Sequence, residues 1–236
     1  ISPHGIVELY SLITSKKGII KTIYASYALS CLRQIICDSA AVLSLSLTDY
    51  NIVREITIKY CRSYTKPFIK IVGNGANPLL INNNFKKIDV REKYSLGDKP
   101  LLLYVGAITY SKGVDILLKA MLNIEEEASL VLVGNTPISF RQKHFIGYLR
   151  SLMRLITRKK KGIKVVLTGF VEDDILFSLL TECDIYIHPS RVETLPLAVI
   201  DAMAIGKPVI VSKVGGLPYL ISNSSGCLLY TSDAAD

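Results

Sequence analysis

The five cysteines of this 236-residue chain, Cys31, Cys37, Cys61, Cys183 and Cys227, include no pair in C-x-x-C spacing. Neither a disulfide framework nor a zinc site is indicated, and the thiols fit a reducing cytosol. The three histidines are too scattered to build a metal triad. A membrane-spanning helix needs about 20 apolar residues, and Lys21 and Arg33 interrupt the most apolar early stretch. No secretory signal is visible in the residues present, and no internal repeat is found. No G-x-G-x-x-G follows a strand-like run, which argues against a dinucleotide-dependent dehydrogenase.

What is present is apolar and basic. Half of the residues are hydrophobic, so the length allows one or two domains with a sizeable core, and the composition excludes disorder. The net charge is +8, or +10 without Asp233 and Asp236, and suits an anionic ligand or an acidic membrane surface equally. The run Arg158–Lys161 with Lys164 reads first as a solvated loop and second as a membrane or lipid-phosphate contact. Nucleic acid is third, because no stacking aromatics interleave it.

Apolar runs of strand length recur at Ala41–Ser46, Phe68–Val72, Leu101–Val105, Leu130–Val133, Lys164–Thr168, Asp184–His188 and Pro208–Val211. Helical periods separate most of them. Phe145, Leu149, Leu152 and Ile156, spaced four, three and four, predict an amphipathic helix that turns this stripe to the core rather than to a cofactor. The alternation predicts an α/β fold with a parallel, doubly wound sheet. Turn formers in NGANPLLINNN and SLGDKP predict a linker over 74–99, between one domain over 1–73 and another over 100–226. Ligands of doubly wound sheets sit at the carboxyl ends of strands, where Gly106, Gly134, Gly169 and Pro189 fall.

The stretch from His188 to Pro208, HPSRVETLPLAVIDAMAIGKP, is the most informative. It places Glu193 and Asp201 around a turn and the helix after it, and Gly206 with Pro208 ends that helix. The helix start offers free N–H groups and partial positive charge, a seat for a diphosphate. Here the sequence resembles the retaining glycosyltransferases of the "group 1" class, with the B-type (GT-B) fold, whose hallmark is E-x7-E in PS-x-x-E-x-x-P-L-x-x-x-E-A-M-A-x-G-x-P-V. The same spacing appears as Glu193-x7-Asp201. Leu102–Leu118 (LLYVGAITYSKGVDILL) is similar to the family's VGR-x4-KG-x-x-x-L, Leu130–Gly134 to its LVLVG strand and Val165–Val171 (VVLTGFV) to V-x-F-x-GFV. Val214–Leu220 (VGGLPYL), Ile71–Asn77 (IVGNGAN) and Ser2–Gly5 (SPHG) match further motifs in the family's order.

The resemblance implies two Rossmann-like doubly wound domains, the first largely missing ahead of Ile1 and the second nearly complete. It implies a hexosyltransferase that moves a sugar from a nucleoside-diphosphate donor to a glycan or lipid-linked acceptor with retention. The expected enzyme needs no metal, is cytoplasmic, touches the inner membrane face peripherally and binds no nucleic acid. By the same resemblance Lys112 meets the diphosphate with Gly113 allowing close approach, beside Gly106, Gly169 and Phe170. Glu193 holds the sugar hydroxyls, Asp201 the ribose hydroxyls, and Thr194 and Leu195 offer backbone N–H groups to the phosphates. Glu193, Lys112 and His4 are the catalytic candidates. Plainer roles compete: a solvated lysine for Lys112, a helix N-terminal acid for Glu193, a surface acid for Asp201 and a structural histidine for His4; His188 reads as a packing residue.

Two departures stand out. Ala107 occupies the place of the family's usual arginine, so Arg191 or Lys213 would have to compensate, and Asp201 is one methylene shorter than the usual glutamate. They leave open a non-catalytic nucleotide-sugar binder, and a sugar-nucleotide epimerase shares the fold. Cys227–Asp236 (CLLYTSDAAD) resembles a translated transposase adapter used in sequencing libraries; the competing reading is an apolar strand that continues the sheet after Gly226.

Overall fold

The structure, a computed structural model, describes residues 19–62, 66–136, 140–221 and 226–229. It divides into two compact units, one made of Ile1–Asn74, Val192–Pro196 and Val214–Leu220, the other of Gly75–Arg191, Leu197–Lys213 and Ile221–Asp236.

The first unit contains α1 (Ile19–Cys37), β1 (Ala41–Ser44), α2 (Leu47–Tyr60) and β2 (Phe68–Ile71). The two strands pair in parallel, Ala41 opposite Phe68. Ser46 starts α2: its Oγ accepts the Asp49 N–H at 3.2 Å and donates to Asp49 Oδ2 at 2.9 Å. Ile36, Val42, Val53, Ile56 and Cys61 form the core of this unit. The cysteine reading needs correction here, because Cys37 and Cys61 are joined by a disulfide. Their sequence separation of 24 carries no motif. The bond arises because α1 and α2 pack side by side and end together, which spacing alone does not disclose.

The second unit runs through α3 (Pro78–Ile81), α4 (Val90–Lys93), β3 (Leu101–Val105), a 3-10 turn (Tyr110–Lys112), α5 (Val114–Met121), β4 (Ala128–Val133), α6 (Phe140–Lys159), β5 (Ile163–Gly169), α7 (Asp173–Glu182), β6 (Ile185–His188), α8 (Leu197–Ala204), β7 (Val209–Ser212) and β8 (Cys227–Leu229). Its sheet has the order β5-β4-β3-β6-β7-β8 with every pairing parallel. β4 is buried along its whole length, which is why it reads as a continuous apolar run rather than an alternating one. Helix α6 turns Leu149, Leu152 and Ile156 into the core, with Phe145 packed against them. Among the described residues no helix is long and apolar enough to cross a membrane.

The turn formers of 74–99 act as caps. Asn77 caps α3 and Asp89 caps α4 through their side-chain oxygens. The segment is held on α7 by Lys86 N–H to Asp174 Oδ1 at 3.1 Å and Ile88 N–H to Ser178 Oγ at 2.9 Å. Residues Cys227–Leu229, inside the adapter-like tail, pair with β7 as the edge strand, Ile210 opposite Cys227.

Candidate functional site

The carboxyl ends of β3, β4 and β5 come together through backbone groups. Gly106 N–H donates to the Val133 carbonyl at 2.9 Å, and Gly134 N–H to the Gly169 carbonyl at 2.9 Å. A Cβ on Gly134 would lie 1.9 Å from the Gly106 carbonyl oxygen. After β3 the chain passes the exposed Ala107 and enters the Tyr110–Lys112 turn, which closes with the Lys112 N–H on the Thr109 carbonyl at 3.2 Å. Lys112 is half-buried there. Gly113 then takes φ +68° and starts α5. A Cβ on it would sit 1.9 Å from the Pro189 carbonyl oxygen at the end of β6, so its close approach is to protein backbone. Phe170, after Gly169, is 76% exposed.

Arg191 does not replace the missing cation at position 107. Its Nη1 donates to Asp115 Oδ1 at 2.7 Å and its Nη2 to Asp115 Oδ2 at 2.9 Å, a bidentate pair whose two side chains are buried. Nη1 also reaches the Tyr110 carbonyl at 2.8 Å, and the guanidinium lies 3.9 Å from the Tyr110 ring centroid. The Arg191 N–H donates to the Ser111 carbonyl at 2.8 Å. Arg191 therefore anchors the Lys112 turn instead of facing a ligand. Asp115 was missed in the sequence; the signal was an acid inside the apolar run of α5. Lys213 is exposed, with its N–H on the Leu229 carbonyl at 2.9 Å.

Asp201 sits on α8, half-buried, and its Oδ1 accepts the Asn77 N–H at 2.7 Å. Burial raises its pKa above the ordinary carboxylate value, while the Asn77 N–H pulls the other way. The carboxyl thus contributes stability when protonated, fully below about pH 4, and loses that contribution as pH rises through the raised value. Asp201→Asn keeps an acceptor for Asn77 and removes the charge. We expect it to be at least as stable as the parent at pH 7, with the difference vanishing in acid. Asp201→Ala, which strands the Asn77 N–H, should cost about 1–2 kcal/mol. Urea midpoints of both variants across pH check this, and a clear loss at pH 7 in the asparagine variant contradicts it.

Glu193, Thr194 and Leu195 belong to the other unit and are all buried there. Glu193 Oε1 accepts the Thr194 N–H at 3.2 Å. The VGG segment clamps this loop: Gly216 N–H donates to the Thr194 carbonyl at 2.7 Å, and a Cβ on Gly215 would lie 1.7 Å from the Glu193 carbonyl oxygen. Thr48 Oγ1 holds Gly215 in turn, donating to its carbonyl at 2.9 Å, and Asn74 Nδ2 donates to the Leu195 carbonyl at 2.8 Å. Asn74 and Asn77 gain specific partners that a turn-former reading does not supply.

His188 is buried between Tyr104 and Tyr186, its ring stacked on each, and its Nδ1 is 3.4 Å from the Tyr186 hydroxyl. Tyr104 and Tyr186 donate to the Ala107 and Val105 carbonyls at 2.9 and 3.2 Å. His188 is thus a packing residue. His4 lies outside the described residues. Among the described residues no three His, Cys, Asp or Glu side chains are grouped to hold a metal.

The pattern that defines the family described as "Glycosyl transferases group 1" matches residues 86–236. An uncharacterised glycosyltransferase of Methanocaldococcus jannaschii is 32% identical over 201 residues, which cover 79% of this chain and 49% of that protein. A GDP-mannose-dependent alpha-(1-6)-phosphatidylinositol dimannoside mannosyltransferase of Mycobacterium tuberculosis is 28% identical over 141 residues, 58% of this chain and 33% of that one. Among solved structures, HepE from Anabaena in complex with UDP-glucose superposes with a TM-score of 0.68 at 20% identity, covering 89% of this chain and 56% of that one. That likeness concerns the fold, an α/β arrangement of Rossmann-like domains of GT-B type. The chain spans half the length or less of these two curated relatives.

Proposed function

The chain belongs to the glycosyl transferases group 1 family, and from that premise we propose that it serves to move a hexosyl group from a nucleoside-diphosphate sugar to a glycan or lipid-linked acceptor, with retention at the anomeric carbon. In this reading the bond from the anomeric carbon to the diphosphate oxygen breaks, and the acceptor oxygen bonds the same face as its hydroxyl proton passes to the departing diphosphate. The diphosphate leaves with its charge met by Lys112 and by the N–H groups of Thr194 and Leu195. Glu193 accepts hydrogen bonds from the sugar hydroxyls and Asp201 from the ribose hydroxyls, each through an oxygen pair suited to two donors. No resident metal takes part. His4, Gly106, Gly169 and Phe170 complete the expected donor and acceptor contacts. We place the reaction in the cytoplasm, with peripheral contact at the inner face of a membrane.

Glu193 carries the reading. Its carboxylate is buried, eight residues ahead of a second acid, on a loop whose backbone is clamped by Gly215 and Gly216. A buried carboxylate on a loop fixed in this way departs from the solvent-exposed helix-end charge that is the plainer reading. Calorimetric titration of the folded chain with UDP, GDP and ADP should give heat with at least one and no sugar transfer by this span alone; no heat with any of them sinks the donor assignment. In the longer enzyme, Glu193→Gln should lower kcat about 10- to 100-fold, while Asp201→Asn should act chiefly on donor KM. Equal losses of turnover with donor affinity untouched would contradict the two roles.

A second reading, a nucleotide-sugar binder without turnover, is favoured by the exposed Ala107 and by the commitment of Arg191 to Asp115. Thermal protection by a nucleoside diphosphate, without hydrolysis or transfer in the longer protein, selects it.

A further inference from the structure

Helix α6 is 20 residues long and carries six lysines and arginines with no aspartate or glutamate. At about 100° per residue, Lys143, Arg150, Arg154 and Arg158 fall on one stripe, opposite the buried Leu149, Leu152 and Ile156. All four are exposed, and among the described residues none has an ion-pair partner. Arg150, Arg154 and Arg158 follow one another at i, i+4 spacing, where like charges repel and weaken a helix. An ordinary solvated face relieves such repulsion by mixing signs. This one is extended instead by Lys159, Lys160 and Lys161.

Beside the stripe lies a groove of about 400 Å³ lined by Met153, Arg154, Thr157, Arg158 and Val165. Two guanidinium groups at an apolar floor suit a phosphodiester that carries a hydrocarbon end. No aromatic side chain lines the groove to stack on a base. The opposite face of α6 is locked in the core, so the stripe is presented on a rigid element.

We propose that the outer face of α6 docks the chain on an anionic phospholipid surface, with Arg154 and Arg158 taking a lipid phosphate between them. This specifies the face used in the peripheral contact inferred above and is independent of the donor assignment, because a chain that binds a nucleoside diphosphate but no vesicle fails here alone.

Co-sedimentation of the whole chain with vesicles tests it. Binding is expected to vesicles of equal parts phosphatidylcholine and phosphatidylglycerol, to be absent with phosphatidylcholine alone, and to fall with added salt. Changing Arg150, Arg154 and Arg158 to glutamine should weaken binding about 100-fold, at roughly fivefold per arginine. The triple lysine variant should retain most of it, and an unshifted melting curve confirms that the glutamine variant is folded. Equal binding to neutral vesicles, or no response to the glutamine variant, overturns the proposal. Tighter binding to RNA than to anionic vesicles overturns it in favour of nucleic acid. Release from vesicles by inorganic phosphate at constant ionic strength overturns it in favour of a free-phosphate site.

Discussion

Replacing Asp115 by alanine should destabilise the second unit by about 3–5 kcal/mol, because it takes the bidentate carboxylate from the buried Arg191 guanidinium. The pair is bidentate, and the Tyr110 carbonyl and ring, which stay against Arg191 once the carboxylate is gone, carry no full negative charge. Desolvation of a cation stripped of this carboxylate is the larger part of that loss, which gives the prediction a second arm. Exchanging both partners for apolar residues, Asp115→Ala with Arg191→Met, should recover much of the stability that the single change removes. It should not fully recover ligand binding, because the Tyr110 carbonyl would still have lost its tie to the Arg191 side chain, although the backbone N–H at position 191 would still hold the Ser111 carbonyl. Urea midpoints of the two single variants and the double variant check the first claim, and nucleoside-diphosphate titration checks the second. A double variant as unstable as Asp115→Ala would mean that the pair is worth more than its isolated charge penalty.

Gly113→Ala and Gly97→Ala form a matched pair in which the larger effect is of similar size. The two glycines have nearly the same backbone conformation, φ +68° and +66°. Around Gly97 there is nothing within 4 Å of a new Cβ, whereas at Gly113 the Pro189 carbonyl oxygen would be 1.9 Å away. The left-handed conformation alone costs an alanine about 1–2 kcal/mol, which is the full effect expected at Gly97. At Gly113 the backbone of the turn or of the β6 end must also move, and we expect about 3–5 kcal/mol in total. Nucleoside-diphosphate affinity should fall with Gly113→Ala and stay unchanged with Gly97→Ala. Equal losses of stability in the two variants would show that the turn yields without strain.

The sheet was legible because apolar runs bounded by turn residues survive any tertiary context: Leu101–Val105 is a strand at the bounds read from the sequence, and the six other expected strands shift by no more than two residues at an end. The α6 stripe was legible for the same reason, since the 3.6 period of Phe145, Leu149, Leu152 and Ile156 is local. What could not be read is contact between distant residues. The Cys37–Cys61 bond, the Arg191–Asp115 pair at a separation of 76, and the Asn77 N–H on Asp201 at 124 depend on how helices and strands stack. At the candidate site, residue types and spacing singled out Glu193 and Asp201 as candidates. They left Arg191 available for a ligand, because a sequence does not show which cation is already bound to an acid.

The backbone contacts at the strand ends bear on how such chains drift in sequence. A methyl group at Gly134 would overlap the Gly106 carbonyl, and one at Gly215 would overlap the Glu193 carbonyl, whether or not a sugar is ever transferred. A descendant that had lost all activity would feel the same steric pressure to keep these glycines. Their survival in a diverged copy therefore reports that the copy still folds, and says nothing of whether it still turns over.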